Sequence, residues 1–160
     1  HRKSSPRLEA SFRCSNCRTI LSADPLGTKH RNHCPLCLWS KHVDLSTPGD
    51  RKSDCCARMQ PMAMAFKDYR INPFTNRGGG ELMIIHQCLN CGKISPNRIA
   101  GDDNEYQIIC ILKGSINLDE SLIAQIRNMG LKPIASSNIE EAYISLLGIN
   151  YQDYIKTWIN

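Results

Sequence analysis

Short cysteine pairs carry the chemistry of this chain. Cys14-Ser15-Asn16-Cys17 and Cys34-Pro35-Leu36-Cys37 are two Cys-x-x-Cys knuckles separated by sixteen residues. A tight turn sets both thiolates of a knuckle on one side, and a second knuckle returned across a hairpin completes a tetrahedron of soft sulfur. Zinc, with its filled d shell, accepts that geometry without strain. A third knuckle, Cys88-Leu89-Asn90-Cys91, and the adjacent Cys55-Cys56 supply thiols for a second zinc ion. Three knuckles and an odd total of nine cysteines favour metal ligation over disulfides. That implies a reducing intracellular compartment, cytoplasm or organelle matrix, rather than secretion.

These residues do not assemble a catalytic set. Cys34-Pro35-Leu36-Cys37 resembles a dithiol redox motif, but such chemistry needs one low-pKa pair, whereas three pairs at ribbon spacing serve a metal. A zinc deaminase requires His-x-Glu followed by Pro-Cys-x-x-Cys, and neither part is present in that form. Gly78-Gly79-Gly80 is not followed by Gly-Lys-Ser/Thr, so it is no phosphate loop. The expectation is a protein that is not an enzyme and has no small-molecule substrate, with a thiol- or zinc-dependent enzyme as the alternative. No apolar run is long enough to span a bilayer.

Charge points to a partner. Residues 1–101 carry 16 Lys and Arg against 7 Asp and Glu, a net +9, and residues 102–160 carry 4 against 8, a net −4, which together give the chain's +5. A polyanion is therefore attracted to the cysteine-rich part alone. Arg31, Asn32, Lys41, Arg51, Lys52, Lys93 and Arg98 form a polar rim near the knuckles, and Arg70 and Arg77 flank the glycine run. Arg grips phosphate or guanine with two N–H groups, and Asn reads a base edge or a sugar. Trp39 either covers the metal site or stacks on an unpaired base. With no recognition helix in the basic part, RNA is favoured over DNA. The function expected is a component or assembly factor of a ribosome or other ribonucleoprotein, bound to ribosomal RNA. The alternative is a protein-interaction adaptor using the acidic, Ile- and Leu-rich residues 105–160.

Arg31-Asn32-His33-Cys34-Pro35 spells the signature of the RNHCP domain family. Cys37 to Asp44, Pro48-Gly49-Asp50-Arg51, Met59-Gln60-Pro61, Ile85 to Lys93 and Asn97 to Asp103 resemble its continuation, so the resemblance covers about residues 12–104. The family is a small, mostly bacterial group, and membership implies metal binding. The resemblance also implies Cys55 as the third ligand beside Cys88 and Cys91. Where the family carries glycines after that cysteine, this chain has Cys56 and Ala57. The fourth ligand is expected to be His42, with His86 or Cys56 as alternatives. A ligating imidazole leaves its second nitrogen to a carboxylate or carbonyl, and Asp44 is near His42 in sequence. His33, adjacent to Cys34, points away from that metal and is expected to pack or hydrogen-bond instead.

The elements that must hold these groups give a small α+β fold: zinc-ribbon-like, metal-stapled β-hairpins followed by a short α/β extension. Its parts are a flexible basic arm at 1–11, a double zinc-ribbon domain at 12–104 and an acidic tail at 105–160. Thr19-Ile20-Leu21 is a strand leaving the first knuckle, and Asp24-Pro25-Leu26-Gly27 is a turn. Met62, Met64 and Phe66 alternate as in a strand with Met buried, Gly78 to Gly80 read as a hairpin tip, and Glu81 to His86 returns. Tyr106 to Leu112 reads as a buried strand, with Cys110 a small core residue. Leu118, Leu122, Ile126 and Met129 recur at helical spacing up to Gly130, and Lys132 to Ala135 is extended. Ser137-x-x-Glu140 is a capping box opening a helix that Gly148 closes. Asn150 caps a last helix whose Tyr154, Ile155, Trp158 and Ile159 form an apolar edge, available to a protein neighbour. The tail is short for a core of its own and is expected to dock on the ribbons or on a partner.

Overall fold

The computed structural model describes residues 11–22, 32–46 and 50–159. The basic arm except Ser11, the turn at 24–27, Arg31 and the Trp158 side chain lie outside the described residues. A long antiparallel hairpin, β4 (Arg58–Asn72) with β5 (Arg77–Cys88), forms the backbone of the fold. β1 (Ser11–Arg13) and β2 (Ile20–Ser22) pair as a separate ribbon around the first knuckle. The main sheet runs β3 (Ser40–Lys41), β4, β5, β6 (Ile94–Arg98), and β7 (Lys132–Pro133) joins β4 further along its outer edge.

Strand β4 is apolar on both sides over Ala63–Phe66, so the sheet needs cover on both faces. Met64, Phe66, Leu82 and Ile84 face α1 (Glu105–Gly114) and α3 (Ile139–Leu147), meeting Ile108, Leu112 and Ala142. Ala63, Ala65 and Ile85 face α2 (Glu120–Asn128), meeting Leu122 and Ile126. The alternation thus sends large residues to one helical layer and mostly small ones to the other. The tail docks on this hairpin rather than on the ribbons, and it completes the core. α4 (Tyr151–Ile159) begins immediately after Asn150; its Ile155 is buried and its Tyr154 hydroxyl donates to Glu105 at 2.9 Å.

Four expectations are corrected. Residues 106–112 are helix, not strand: Ile108, Ile109 and Leu112 are buried on one face, Cys110 is exposed, and Asn104 Oδ1 caps the start by accepting from Gln107 N at 3.1 Å. A short apolar run fits either period, and the cap decides. The hairpin tip is Pro73–Asn76, not the glycines, with Asn76 N donating to Asn72 O at 2.8 Å and Asn76 at φ 54. Gly78 lies inside β5, where a Cβ would stand 1.9 Å from Tyr69 Oη. At Gly80 it would stand 2.5 Å from the Lys67 carbonyl, at an irregularity in the β4 register. Finally, Ser137 does not cap α3. Asn138 occupies that position with no side-chain cap bond, because its amide accepts from Ala135 N at 2.6 Å and donates to Pro133 O at 3.2 Å.

Candidate metal centres

All three knuckles share one backbone solution. The first cysteine's N–H donates to the carbonyl five residues on, in Cys14 to Thr19, Cys34 to Trp39 and Cys88 to Lys93, each at 2.9 Å. Its carbonyl accepts from the residue four on, Arg18, Leu38 or Gly92. That residue is left-handed each time, with φ 67, 64 and 75. Only Gly92 adopts this without a steric cost. The turn leaves Asn16 N and Cys17 N at 3.4 and 3.5 Å from Cys14 Sγ, both aimed at the sulfur.

Knuckles one and two converge. Cys14 Sγ is 3.6 Å from Cys37 Sγ, and Cys17 Sγ is 3.7 Å from Cys34 Sγ. A zinc–sulfur tetrahedron with bonds of about 2.3 Å has edges of about 3.8 Å, whereas a disulfide spans about 2.05 Å. The four sulfurs therefore fit a zinc ion, and all nine cysteines are free. Thr19 beside Cys17 lowers that thiol to about 6, while burial raises Cys37 and pushes Cys34 up to about 12. A buried thiolate at Cys34 requires a cation, which zinc supplies. Arg58, the first residue of β4, ties this centre down: its guanidinium sits 5.4 Å over the Trp39 ring and donates to Asn16 Oδ1 at 3.2 Å. Trp39 is half-buried with one face taken, as befits a cover.

The second set is His42, Cys55, Cys88 and Cys91, with ligand atoms all within 4.8 Å of one another. Cys55 and Cys88 sulfurs are 3.6 Å apart, and His42 Nδ1 is 3.4 Å from Cys91 Sγ, near the edge of about 3.6 Å expected for mixed nitrogen and sulfur ligation. The backbone fixes the pairing: His42 N donates to Ala57 O at 2.8 Å and Cys56 N to His42 O at 3.0 Å. Cys56 sits at φ 52 with its sulfur exposed and 3.8 Å from the Ser53 carbonyl, outside the set. His86 is also outside it, fully buried in the sheet and held by burial down to about 3. Asp44 does not meet His42 Nε2; it accepts from Arg51 N at 3.1 Å and pairs with the Arg51 guanidinium at 3.7 Å.

A buried chain of hydrogen bonds joins the two centres, and sequence reasoning missed it. The Leu38 carbonyl can only accept, so His86 Nε2 donates to it, at 2.6 Å, and neutral His86 then accepts at Nδ1 from Asn97 Nδ2, at 2.7 Å. Asn97 Oδ1 accepts from Asn32 Nδ2 at 3.0 Å, and Asn32 Oδ1 accepts from His33 Nδ1 at 2.5 Å. His33 Nε2 and Asp103 Oδ2, 2.7 Å apart, form the next hydrogen bond, and Asp103 Oδ2 also accepts from Ala100 N at 2.8 Å. The chain thus runs between the element bearing Cys34 and the strand bearing Cys88. Asn32, expected at the RNA-binding rim, spends its amide here instead.

The remaining rim residues fall into separate groups. Lys41, Arg51 and Lys93 surround one cleft beside the second centre, and Lys52 is exposed nearby in sequence. Arg70 and Arg77 stand exposed at the far end of the hairpin. Arg98 pairs with Glu81 at 2.6 Å.

No curated protein and no solved structure matches the chain. The family described as the RNHCP domain matches residues 9–109, a span that holds both metal centres and every residue of the buried relay. With more than half its length matched, the chain belongs to the RNHCP domain family.

Proposed function

We propose that this chain is a zinc-stapled RNA-binding protein, a structural component or assembly factor of a ribosome or other ribonucleoprotein. The observation that carries the reading is the outer arm of the β4–β5 hairpin. Phe74 at its tip is 96% exposed, and Ile71 beside it is 61% exposed. Lys67, Arg70 and Arg77 are exposed on the same arm, against one exposed carboxylate, Asp68. The tip is fixed, since Asn72 Oδ1 accepts from Phe74 N at 2.9 Å. Farther down, Glu141 accepts from Tyr69 Oη at 2.6 Å and Gly78 N at 3.1 Å, which clamps the arm to α3. An exposed aromatic ring on an anchored turn, set among cations, suits stacking on an unpaired base while phosphates are neutralised.

Both metal sets have four protein ligands, which supports a structural rather than catalytic role, since catalytic zinc keeps an open position. Cysteines outside any disulfide, as all nine are, suit a reducing compartment. No helix among the described residues is long and apolar enough to cross a membrane. A neighbouring protein on the acidic tail is the second reading. Ile155, which was to serve it, is only 6% exposed and already used within the fold.

The test is titration of the zinc-loaded chain with single-stranded and folded RNA at several salt concentrations. Phe74→Ala is expected to weaken binding by about 1–3 kcal/mol, roughly 5- to 150-fold. Arg70→Gln with Arg77→Gln is expected to flatten the salt dependence by about 1.4–1.8 in the logarithmic slope. Absence of RNA binding, or binding indifferent to all three changes, overturns the reading.

A further inference from the structure

The outer arm of the β4–β5 hairpin is weakly held by its own strands. Past the irregularity between Lys67 and Arg70, where Asp68 is left-handed at φ 54, the pairs are Arg70–Gly79, Ile71–Gly78 and Asn72–Arg77. Two of these three pairs have a glycine on β5, so they lack the cross-strand side-chain contacts that stabilise a ribbon. A two-stranded ribbon this short is marginal in water. Its support comes from residues beyond 109, outside the family match. Glu141 of α3 accepts from Tyr69 Oη at 2.6 Å through one oxygen and from Gly78 N at 3.1 Å through the other, so a single carboxylate bridges both strands of the arm. Lys132 of β7 places its ammonium 5.3 Å from the Tyr69 ring centroid. Helix α3 is itself well seated, with Ala142 fully buried in the core and Ile139, Tyr143 and Leu146 packed against the same cluster.

The tail that supplies this support is acidic, net −4 over residues 102–160, and its field repels a polyanion. It serves RNA binding through geometry or not at all. We propose that Glu141 is a positioning residue for the RNA-binding arm: by bridging Tyr69 and Gly78 it fixes the direction in which Arg70, Phe74 and Arg77 are presented, so that less ordering entropy is lost when RNA binds. The proposal rests on the RNA reading, because it assigns how that same arm is held. Simple electrostatics gives the opposite sign. Removing a carboxylate beside a cationic arm tightens RNA binding through the field alone, whereas losing the bridge loosens it.

The experiment measures single-stranded RNA affinity of the zinc-loaded full chain well below the unfolding transition of every variant, and follows amide exchange over residues 70–79 in the free protein by NMR. Glu141→Ala is expected to weaken binding about tenfold and Tyr69→Phe about threefold, the effect of re-ordering one or two side chains on binding, and both are expected to speed exchange across the arm. Glu141→Gln keeps both bonds, its Oε1 accepting from Gly78 N–H and its Nε2 donating to the Tyr69 hydroxyl, which turns to accept. It is expected to bind at least as tightly as the native chain. A merely structural role lowers the stability of Glu141→Ala and leaves the affinity of the folded chain alone. Should Glu141→Ala fail to fold, Tyr69→Phe decides, since it deletes one bond and no charge. Unchanged or tighter binding by Glu141→Ala, unchanged binding by Tyr69→Phe, native exchange rates over 70–79 in both, or a Glu141→Gln chain as weak as Glu141→Ala each overturns the proposal and, so long as the native chain binds RNA, leaves the RNA reading standing. A native chain that binds no RNA overturns both.

Discussion

Substituting Asn97 tests whether the buried relay locks the knuckles to the sheet. Asn97 is 8% exposed, accepting from Asn32 and donating to His86. Asn97→Ala strands a donor on half-buried Asn32 and an acceptor on fully buried His86. At about 1–3 kcal/mol for each unsatisfied buried group, with Asn32 partly able to reach water, the loss is about 2–4 kcal/mol. Asn97→Asp is the sharper probe. It keeps the acceptor for Asn32 but sets a carboxylate against His86 Nδ1, two acceptors face to face unless His86 takes a proton. In the native chain burial holds His86 down to about 3, against 6.5 for the free group. The stability tied to this neutral ring is full above 6.5 and drains as pH falls toward 3, because only the unfolded chain binds the proton there. Between pH 7.5 and 5.5 the native chain loses about 1.4 kcal/mol from this source. Asn97→Asp holds His86 protonated in both states at the lower pH and escapes that loss. Urea unfolding with zinc in excess is therefore expected to show the gap between variant and native narrowing by about 1.4 kcal/mol from pH 7.5 to 5.5. A gap independent of pH, or an Asn97→Ala cost below about 1 kcal/mol, refutes the relay.

Three further outcomes follow from the geometry. Gly92→Ala puts a Cβ on a left-handed residue and is expected to cost about 1–2 kcal/mol, while Arg18→Gly, at the same place in the first knuckle, gains about 1 kcal/mol; thermal unfolding of the zinc-loaded chains reads the opposite signs. Gly78→Ala drives a methyl into the Tyr69 ring and is expected to cost about 1–3 kcal/mol with loss of the Tyr69 near-ultraviolet signal. Gly79→Ala, whose nearest neighbour is Ser145 Oγ at 3.6 Å, is the control. Cys55→Ser is expected to retain one zinc and Cys56→Ser two, by native mass spectrometry.

The six knuckle cysteines were legible because a knuckle is local, and its spacing alone brings two thiols together, whereas Cys55 came from the family resemblance and His42 was one of three candidates. Strand β4 was legible from the alternation at Met64 and Phe66, and β5 as the run from Glu81 to His86 that returns along it. The relay was not, since Asn32 and Asn97 stand 65 residues apart and His33 and Asp103 stand 70 apart, and no periodicity connects them. Helix α1 was misread because an apolar run of seven residues satisfies both periods, and only the Asn104 cap and the helical layer over the sheet separate them. Gly78 looked like a turn residue, but its use is to admit the Tyr69 ring. Phe74 went unnoticed because its exposure depends on how far the hairpin outruns the helices, a property of the whole fold.

Hydrogen exchange of the zinc-loaded chain before and after chelation shows whether metal holds the knuckles in place. Two zinc ions per chain are expected, with loss of protection at the Cys14, Arg18, Cys34, Leu38, Cys88 and Gly92 amides once they are removed, since the metal holds each knuckle's turn. Unchanged protection of those six amides in the stripped chain, or knuckle thiols found oxidised to disulfides in the native protein, contradicts it.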